Sequence, residues 1–370
     1  MLPLLGLRRM LALRRVLTFP LRHRALTAAG GVLLVVALLD PSAAPSKASE
    51  AAAPSKAALP TRRMLPVTLA FAGDIHFEGA LASALTRDPA TVLAPVAPLL
   101  RRADVAVVNL ETAITGRGTA VPKDYNFRAP ASALAALKAA GVDAASMANN
   151  HGMDFGPVGL ADSLAAGSAA GFPLIGIGRN DGEAFKPFRK VVRGQRISVI
   201  AATQVIDHPL IESWTAGPRR PGLASAKDLP RLVRAVTEAR RNSDTVVVYL
   251  HWGVQGSQCP TGVQRQLADA LIAAGADVIV GTHAHTLQGA GRSDTAFVAY
   301  GLGNFAFYTR GGLGTQTGVL TLTVTGRHVD KYVWSPALIH SGVPAPLAGT
   351  LAAQAVSAWN RLRGCTGLTP

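Results

Sequence analysis

The stretch VTLAFAGDIHFEG (67–79) sets the reading of the whole chain. Val67–Ala72 is a short, nearly unbroken apolar run, which suits a strand buried on both faces. It stops at Gly73 and gives way at once to Asp74 and His76, two side chains of metal-ligand type. Moving outward, the pattern recurs. Val105–Asn109 runs into Glu111, and Ala144–Ala148 into Asn149-Asn150-His151. Val246–Leu250 runs into His251, and Val278–Val280 into His283 and His285. Leu174–Gly178, Ile197–Ala202 and Phe297–Tyr300 are apolar runs of the same length.

Between these runs lie segments of helical length and period: Val92–Ala103, Ala131–Ala140, Val158–Ala170, Lys227–Asn242 and Gly262–Ala274. Gly141, Gly171 and Gly275 stand where a left-handed residue closes a helix. Alternation of this kind predicts an α/β fold around mainly buried sheets. After Tyr300 the texture changes, and Gly318–Thr325 and Val329–Pro336 alternate like strands of an antiparallel or mixed sheet. In α/β sheets ligands collect beyond the carboxyl ends of strands. An Asp after Gly is ordinarily a turn, a lone strand-end His is ordinarily a structural hydrogen bonder, and paired Asn residues suit left-handed turn positions. Five such strand ends in one chain, using four of its nine histidines as Asp-x-His, His-Trp-Gly and His-Ala-His, exceed turn chemistry. Carboxylate oxygen together with imidazole nitrogen suits Zn, Mn or Fe(II).

Composition sets the limits. Of 370 residues, 49% are hydrophobic and 16% charged, which excludes a disordered chain and leaves ample material for a core. The formal charge is +15, but residues 1–63 hold ten bases and two acids, leaving 27 bases against 20 acids for the rest. The body is therefore only modestly basic. That favours an anionic ligand, while the lack of a basic run interleaved with aromatics argues against nucleic acid.

Six arginines (Arg8, Arg9, Arg14, Arg15, Arg22 and Arg24) precede the apolar run Ala25–Leu39, and Ser42-Ala43-Ala44 offers a small-residue cleavage site. Residues 1–40 thus read as an export signal, cleaved or retained as an anchor. Residues 41–63, rich in Ala, Pro and Ser, read as a linker, and 64–370 as one domain held outside the cytoplasm. Cys259 and Cys365 are free to form a bridge in an oxidising compartment, though spacing alone does not show that they meet.

Seven segments in order, FAGDIHFEG (71–79), VVNLETAIT (107–115), NFRAP (126–130), ASMANNHGMDFG (145–156), HWGVQ (251–255), GTHAHTLQG (281–289) and GLGNFAF (301–307), resemble the CapA family. These are capsule and poly-γ-glutamate synthesis proteins of the calcineurin-like metallophosphoesterase superfamily. The resemblance spans roughly residues 65–310. It implies a four-layer α/β/β/α sandwich carrying two divalent metal ions, Mn, Fe or Zn. Asp74, His76 and His285 resemble the ligands of the first ion, and Asn150, His251 and His283 those of the second. Glu111 stands at the bridging carboxylate, where the superfamily usually has the shorter Asp. His151 resembles the proton donor to the leaving group, with the orienting of Asn150 or Glu111 as its alternative role. Asp154 is placed either to pair with His151 or to cap the helix near Pro157.

Arg128 is a candidate for binding an anionic substrate, or a surface arginine. Asn304 is a candidate for lining the substrate pocket, as are Trp252 and Gln288, with packing the simpler role for Trp252. The implied activity is hydrolysis by a dinuclear metal-activated hydroxide, in the synthesis, export or processing of an anionic surface polymer. Membrane-bound polymer synthase or export components are the expected partners. A general extracytoplasmic phosphoesterase, and a non-catalytic metal-bearing module that binds polymer, are the competing expectations.

Overall fold

In the computed structural model of the chain, residues 63–309 and 311–370 are described. The proposed signal and linker lie outside them. Strand Val67–Ile75 occupies the middle of an eight-stranded sheet. On one side it pairs in parallel with Val105–Leu110, followed by Ala144–Ser146 and Leu174–Ile175. On the other it pairs antiparallel with Gln316–Thr325, which continues through His328–His340 to Val343–Pro346. The short strand Asn304–Ala306 lies in parallel against its carboxyl end.

A second sheet of six strands has Gln195–Thr203, Thr245–His251, Val278–Thr282 and Ala296–Ala299 in parallel. Antiparallel edges close it at Phe188–Val192 and Ala290–Ser293.

Because side chains alternate across a strand, each central strand serves two cores. Ala70, Ala72, Ala106 and Val108 face helices Ala80–Arg87, Ser132–Ala140 and Gly156–Ala170, through Leu81, Leu85, Leu134, Leu137 and Leu160. Their neighbours Leu69, Phe71, Val105 and Val107 face the other sheet and share one core with Val199, Ala201, Val247, Tyr249, Val278 and Val280. The far side of the second sheet, with Ile200, Val246, Val248 and Ile279, is covered by Leu232 and Val236 of helix Leu229–Arg241 and by Leu267 and Leu271 of Gly262–Ala273. Three stacked cores between four layers make the α/β/β/α sandwich. The Tyr249 hydroxyl ties the two sheets by donating to the Ala72 carbonyl.

The local differences from expectation have physical causes. Val92–Ala103 is helical only over Ala97–Arg101, because Pro95 lacks the N–H a longer helix needs and Pro98 is tolerated only in a first turn. Leu174–Gly178 is broken at Gly176 (φ 82°), where a Cβ would lie 2.4 Å from that of Ala148; Ile177–Gly178 then pairs elsewhere. Helix Gly349–Arg361 has no counterpart among the expected helices. Among its residues only Trp359 is fully buried. Among the described residues no helix is long and apolar enough to cross a membrane.

Candidate metal centre

Both sheets deliver their parallel carboxyl ends to one place. Asp74 lies beyond a register shift that follows Phe71, opposite Asn109 on one neighbour and Asn304 on the other. Gly73 permits this. A Cβ there would meet the Gly303 carbonyl oxygen at 1.9 Å, and that carbonyl accepts from Asp74 N–H at 2.9 Å. Glu111 follows the end of Val105–Leu110, and His251 is the last residue of its strand. His283 (φ 90°) and His285 (φ 53°) follow Val278–Thr282 in the left-handed region, which non-glycine residues adopt at a cost when a site requires it.

The side chains crowd together. His251 Nε2 lies 2.7 Å from Asn150 Oδ1, 3.1 Å from His283 Nδ1 and 3.4 Å from Glu111 Oε1. Asp74 Oδ2 is 3.3 Å from His285 Nδ1, and Glu111 Oε1 is 4.0 Å from His285 Nε2. Two sets of ligand atoms each fall within 4.8 Å of one another: Glu111 with His283 and His285, and Asp74 with Glu111 and His251. Glu111 belongs to both, as a bridging carboxylate must. Asp74 also lies beside His285, and Asn150 and His283 beside His251.

His76 falls outside both sets. Its ring lies among Phe127, Phe307 and Tyr308, with Nε2 accepting from Tyr308 N–H at 3.2 Å and Nδ1 facing Glu78 N–H at 3.1 Å.

This donor set fits a cation. Glu111 is fully buried and neither of its oxygens has a hydrogen-bond partner, a costly state for a carboxylate without a counter-charge. Asn150 Oδ1, His283 Nδ1 and Glu111 Oε1 all crowd His251 Nε2, so atoms able to offer lone pairs to a cation converge there. The electrostatics agree. Burial, and then the charge of Asp74, push Glu111 up to about 8. Burial also works to raise Asp74, but bonds and charges from His285 and His251, with a bond from Asn109, outweigh it and hold the carboxyl at about 2. Burial pushes His251 and His76 down to about 3, and His283 well below its usual value. His285 is lowered by burial yet ends near 9, because Glu111 and Asp74 lie beside it.

The remaining candidates are tied in around this cluster. His151 presents Nε2 to Glu111 Oε1 at 3.9 Å and bonds Asp154 Oδ2 through Nδ1 at 2.6 Å. Its ring is stacked on Phe127, with 4.1 Å between centroids. Asp154 therefore pairs with His151 and caps no helix: helix Gly156–Ala170 has Phe155 at its N-cap and no side-chain cap.

Asn304 is committed inside the protein. Its Oδ1 meets His285 Nδ1 at 2.8 Å and its Nδ2 donates to the Gly314 carbonyl at 2.9 Å, so it orients His285. Arg128 is exposed and lies over the Phe155 ring at 4.9 Å, with its backbone N–H on Glu78. Trp252 is fully buried and donates to the Tyr300 carbonyl at 2.8 Å, and Gln288 bonds Gln264 and the Ser257 carbonyl; both are packing residues.

Sequence reading missed Asn109, Lys123 and the bonding role of Asn149. Asn109 Nδ2 donates to Asp74 Oδ1 at 2.8 Å, and its Oδ1 accepts from Asn149 Nδ2 at 3.1 Å. Asn149 Oδ1 in turn accepts His151 N–H at 3.0 Å. Neither Asn149 nor Asn150 has positive φ, so they are latches and not left-handed turn residues. An Asn inside the apolar run VVNL was a legible signal, because a buried amide must find partners. Lys123 Nζ sits 2.6 Å from Asp154 Oδ1 with its side chain only 10% exposed, and a lone lysine in a loop gives no such signal.

Residues 68–309 match the family of bacterial capsule synthesis proteins called PGA_cap. The chain belongs to the PGA_cap family. This PGA_cap chain is 28% identical over 255 residues to the PGA biosynthesis protein CapA of Bacillus subtilis (strain 168), covering 68% of the chain and 66% of that protein, just under two thirds of its length. It is 29% identical over 331 residues to the capsule biosynthesis protein CapA of Bacillus anthracis, covering 86% and 78%. A hypothetical protein of known structure from Thermus thermophilus superposes with a TM-score of 0.45 at 15% identity, over 74% of the PGA_cap chain and all of the other.

Proposed function

We propose that this protein is an exported hydrolase, dependent on two divalent cations, that acts on an anionic surface polymer of the poly-γ-glutamate or capsule type, or on a phosphoester. The observation that carries the reading is Glu111, shared by two ligand sets and buried without a hydrogen-bond partner. Cations of the Mn, Fe or Zn class, held by Asp74, Glu111, Asn150, His251, His283 and His285, would supply Lewis acidity and a water-derived nucleophile near neutral pH.

The chain's own residues do the rest. Asn109 holds the Asp74 carboxylate and Asn304 holds the His285 ring, so neither ligand needs to reorganise. His151, anchored by Asp154, keeps Nε2 at the mouth of the cluster, where it can give a proton to a leaving oxygen or nitrogen. A cleft of about 600 Å³ lined by Pro122, Tyr125, Asn150, His151, Asp207 and Leu210 gives a polymer segment room to approach. Export accords with the arginine-rich start of the chain and with the Cys259–Cys365 disulfide, whose Cα atoms are 5.7 Å apart. Membrane-bound synthase or export components are the natural partners of a protein so placed.

The test is elemental analysis of the purified full chain beside a His251→Ala/His283→Ala double variant, each assayed on bis-p-nitrophenyl phosphate and on poly-γ-glutamate. The expected result is about two metal ions per chain, lost in the double variant together with turnover. Metal without turnover of either substrate would leave a polymer-binding role in place of catalysis. Absence of metal under every loading condition would end the reading.

A further inference from the structure

Among the described residues only two aromatic side chains are exposed, Tyr125 at 65% and Tyr308 at 42%, and both stand beside the metal cluster. Tyr308 is 4.5 Å from the His76 ring, centre to centre, and meets Phe127 edge to face at 5.9 Å. Tyr125 lines the cleft of about 600 Å³ in which Asn150 and His151 are also set. Phe127 joins the two places, with its ring 4.9 Å from that of His76 and stacked at 4.1 Å on that of His151.

The polar groups of the cleft are equally telling. Asp124, Asp207 and Gln255 are exposed, and among the described residues their side chains make no hydrogen bond or ion pair. The only lysine or arginine lining the cleft is Lys123. Its ammonium is 2.6 Å from Asp154 Oδ1 and bonds the Asn150 carbonyl, so its charge is already paired. Arg128 lies elsewhere, over the Phe155 ring.

These groups select against a chain that carries a carboxylate on every unit. Such a chain would set its charges against Asp124 and Asp207, with no free cation in the cleft to offset them. A cationic chain fares no better, because a cluster filled with divalent cations repels it and the body has 27 bases against 20 acids. What fits is a neutral ring rich in hydroxyls. The C–H face of a sugar packs on an aromatic ring, while carboxylate and amide groups bond its hydroxyls. Negative charge is wanted only where the cluster lies, and a phosphodiester link between sugars places it there.

We propose that Asp124, Tyr125, Asp207 and Gln255 on the His151 side, and Tyr308 on the His76 side, form sugar subsites flanking the cluster, so that the polymer handled here is a phosphodiester-linked glycan. Cutting of that polymer rests on the hydrolase reading above; the binding of its sugars does not.

The test is a microarray of purified bacterial capsular and wall glycans, with and without phosphodiester links, carrying poly-γ-glutamate as a further spot and probed with the metal-loaded full chain. Wild type should bind phosphodiester-linked glycans and leave poly-γ-glutamate unbound. For the glycan bound best, Tyr125→Ala and Tyr308→Ala should each weaken the titrated affinity about tenfold, the worth of one ring contact. Tyr125→Phe and Tyr308→Phe keep the ring and should stay within about threefold of wild type. Asp124→Asn/Asp207→Asn should weaken the glycan as well, since an amide accepts less strongly than a carboxylate.

Should Tyr308→Ala lose its fold through its contacts with His76 and Phe127, Tyr125→Ala, at an exposed position, decides alone. Poly-γ-glutamate bound in place of glycans, no glycan bound, or binding confined to glycans without phosphodiester links would each overturn the proposal. So would alanine variants that bind as wild type, or tighter binding in the aspartate pair. Glycan bound but not cleaved, with bis-p-nitrophenyl phosphate also intact, would remove the hydrolase reading and leave the sugar subsites standing.

Discussion

Glu111 and its neighbours give the metal-free protein an unusual dependence on pH. His251 and His76 titrate near 3 in the folded state, far below a free imidazole, because burial disfavours their charged forms. Their contribution is complete above about 6.5 and is lost as pH falls toward 3. Glu111 (about 8) and His285 (about 9) are both raised. Their contributions are complete below the unfolded values and are lost as pH climbs through 8 and 9. Opposite slopes meet near pH 6.5, so thermal midpoints of chelator-treated protein should peak there and fall by pH 9. Saturating Mn²⁺ should remove the alkaline fall, since the cation takes the place of those protons. A flat profile from pH 6 to 9 without metal would show that Glu111 and His285 do not hold protons in this way. The same residues show what sequence can convey. Asp74, Glu111, His251, His283 and His285 were legible because a charged or imidazole side chain at the end of a buried strand has few structural reasons to be there. Lys123 was not, because its burial is made by Asp154 and Trp214, which stand 31 and 91 positions further on in the numbering.

Elements were legible wherever one period dominates. The apolar runs at 67–72, 105–109, 246–250 and 278–280 all lie within strands, and Gly141, Gly171 and Gly275 follow the last helical residues with positive φ. Pairing was not legible. The segment after helix Gly349–Arg361 is tied to the loop behind His251 by the Cys259–Cys365 bridge, and to the following helix by Arg265, which donates to the Cys365 carbonyl. The two cysteines stand 106 residues apart, and closing so long a loop restricts the unfolded chain strongly. A Cys259→Ser/Cys365→Ser variant should therefore lose about 2–5 kcal/mol in urea unfolding. Its metal content should stay at the wild-type level, because Ser257 remains held by Gln288 and Thr286 from the His283–His285 side. A loss under about 0.5 kcal/mol would mean that the C-terminal segment is secured without the bridge. Loss of metal with stability intact would instead tie the bridge to the site.

At the scale of the molecule, the cluster is also a joint. Asp74 and Glu111 come from one sheet, His251 and His283 from the other. The two sheets also meet through an apolar core, the Tyr249–Ala72 bond and polar ties such as Gln195 Nε2 to the Val324 carbonyl at 3.1 Å and Arg292 Nη1 to the Val329 carbonyl at 2.7 Å. A cation held by both sets of ligands binds only the folded pairing of the sheets, because no such site exists in the unfolded chain. Mass action then fixes the size of the effect: free metal at a hundred times its dissociation constant adds about 2.7 kcal/mol. For a body of about 300 residues that is a rise of a few degrees in the thermal midpoint. Chelation should lower the midpoint by that amount and re-addition restore it. In His251→Ala, which takes away the ligand lying closest to the others, metal should have little effect on the midpoint. A metal-induced rise of equal size in His251→Ala would place the stabilising cation elsewhere, and the two sheets would then be joined at this end by packing and by direct bonds such as His283 N–H to Asp74 Oδ2.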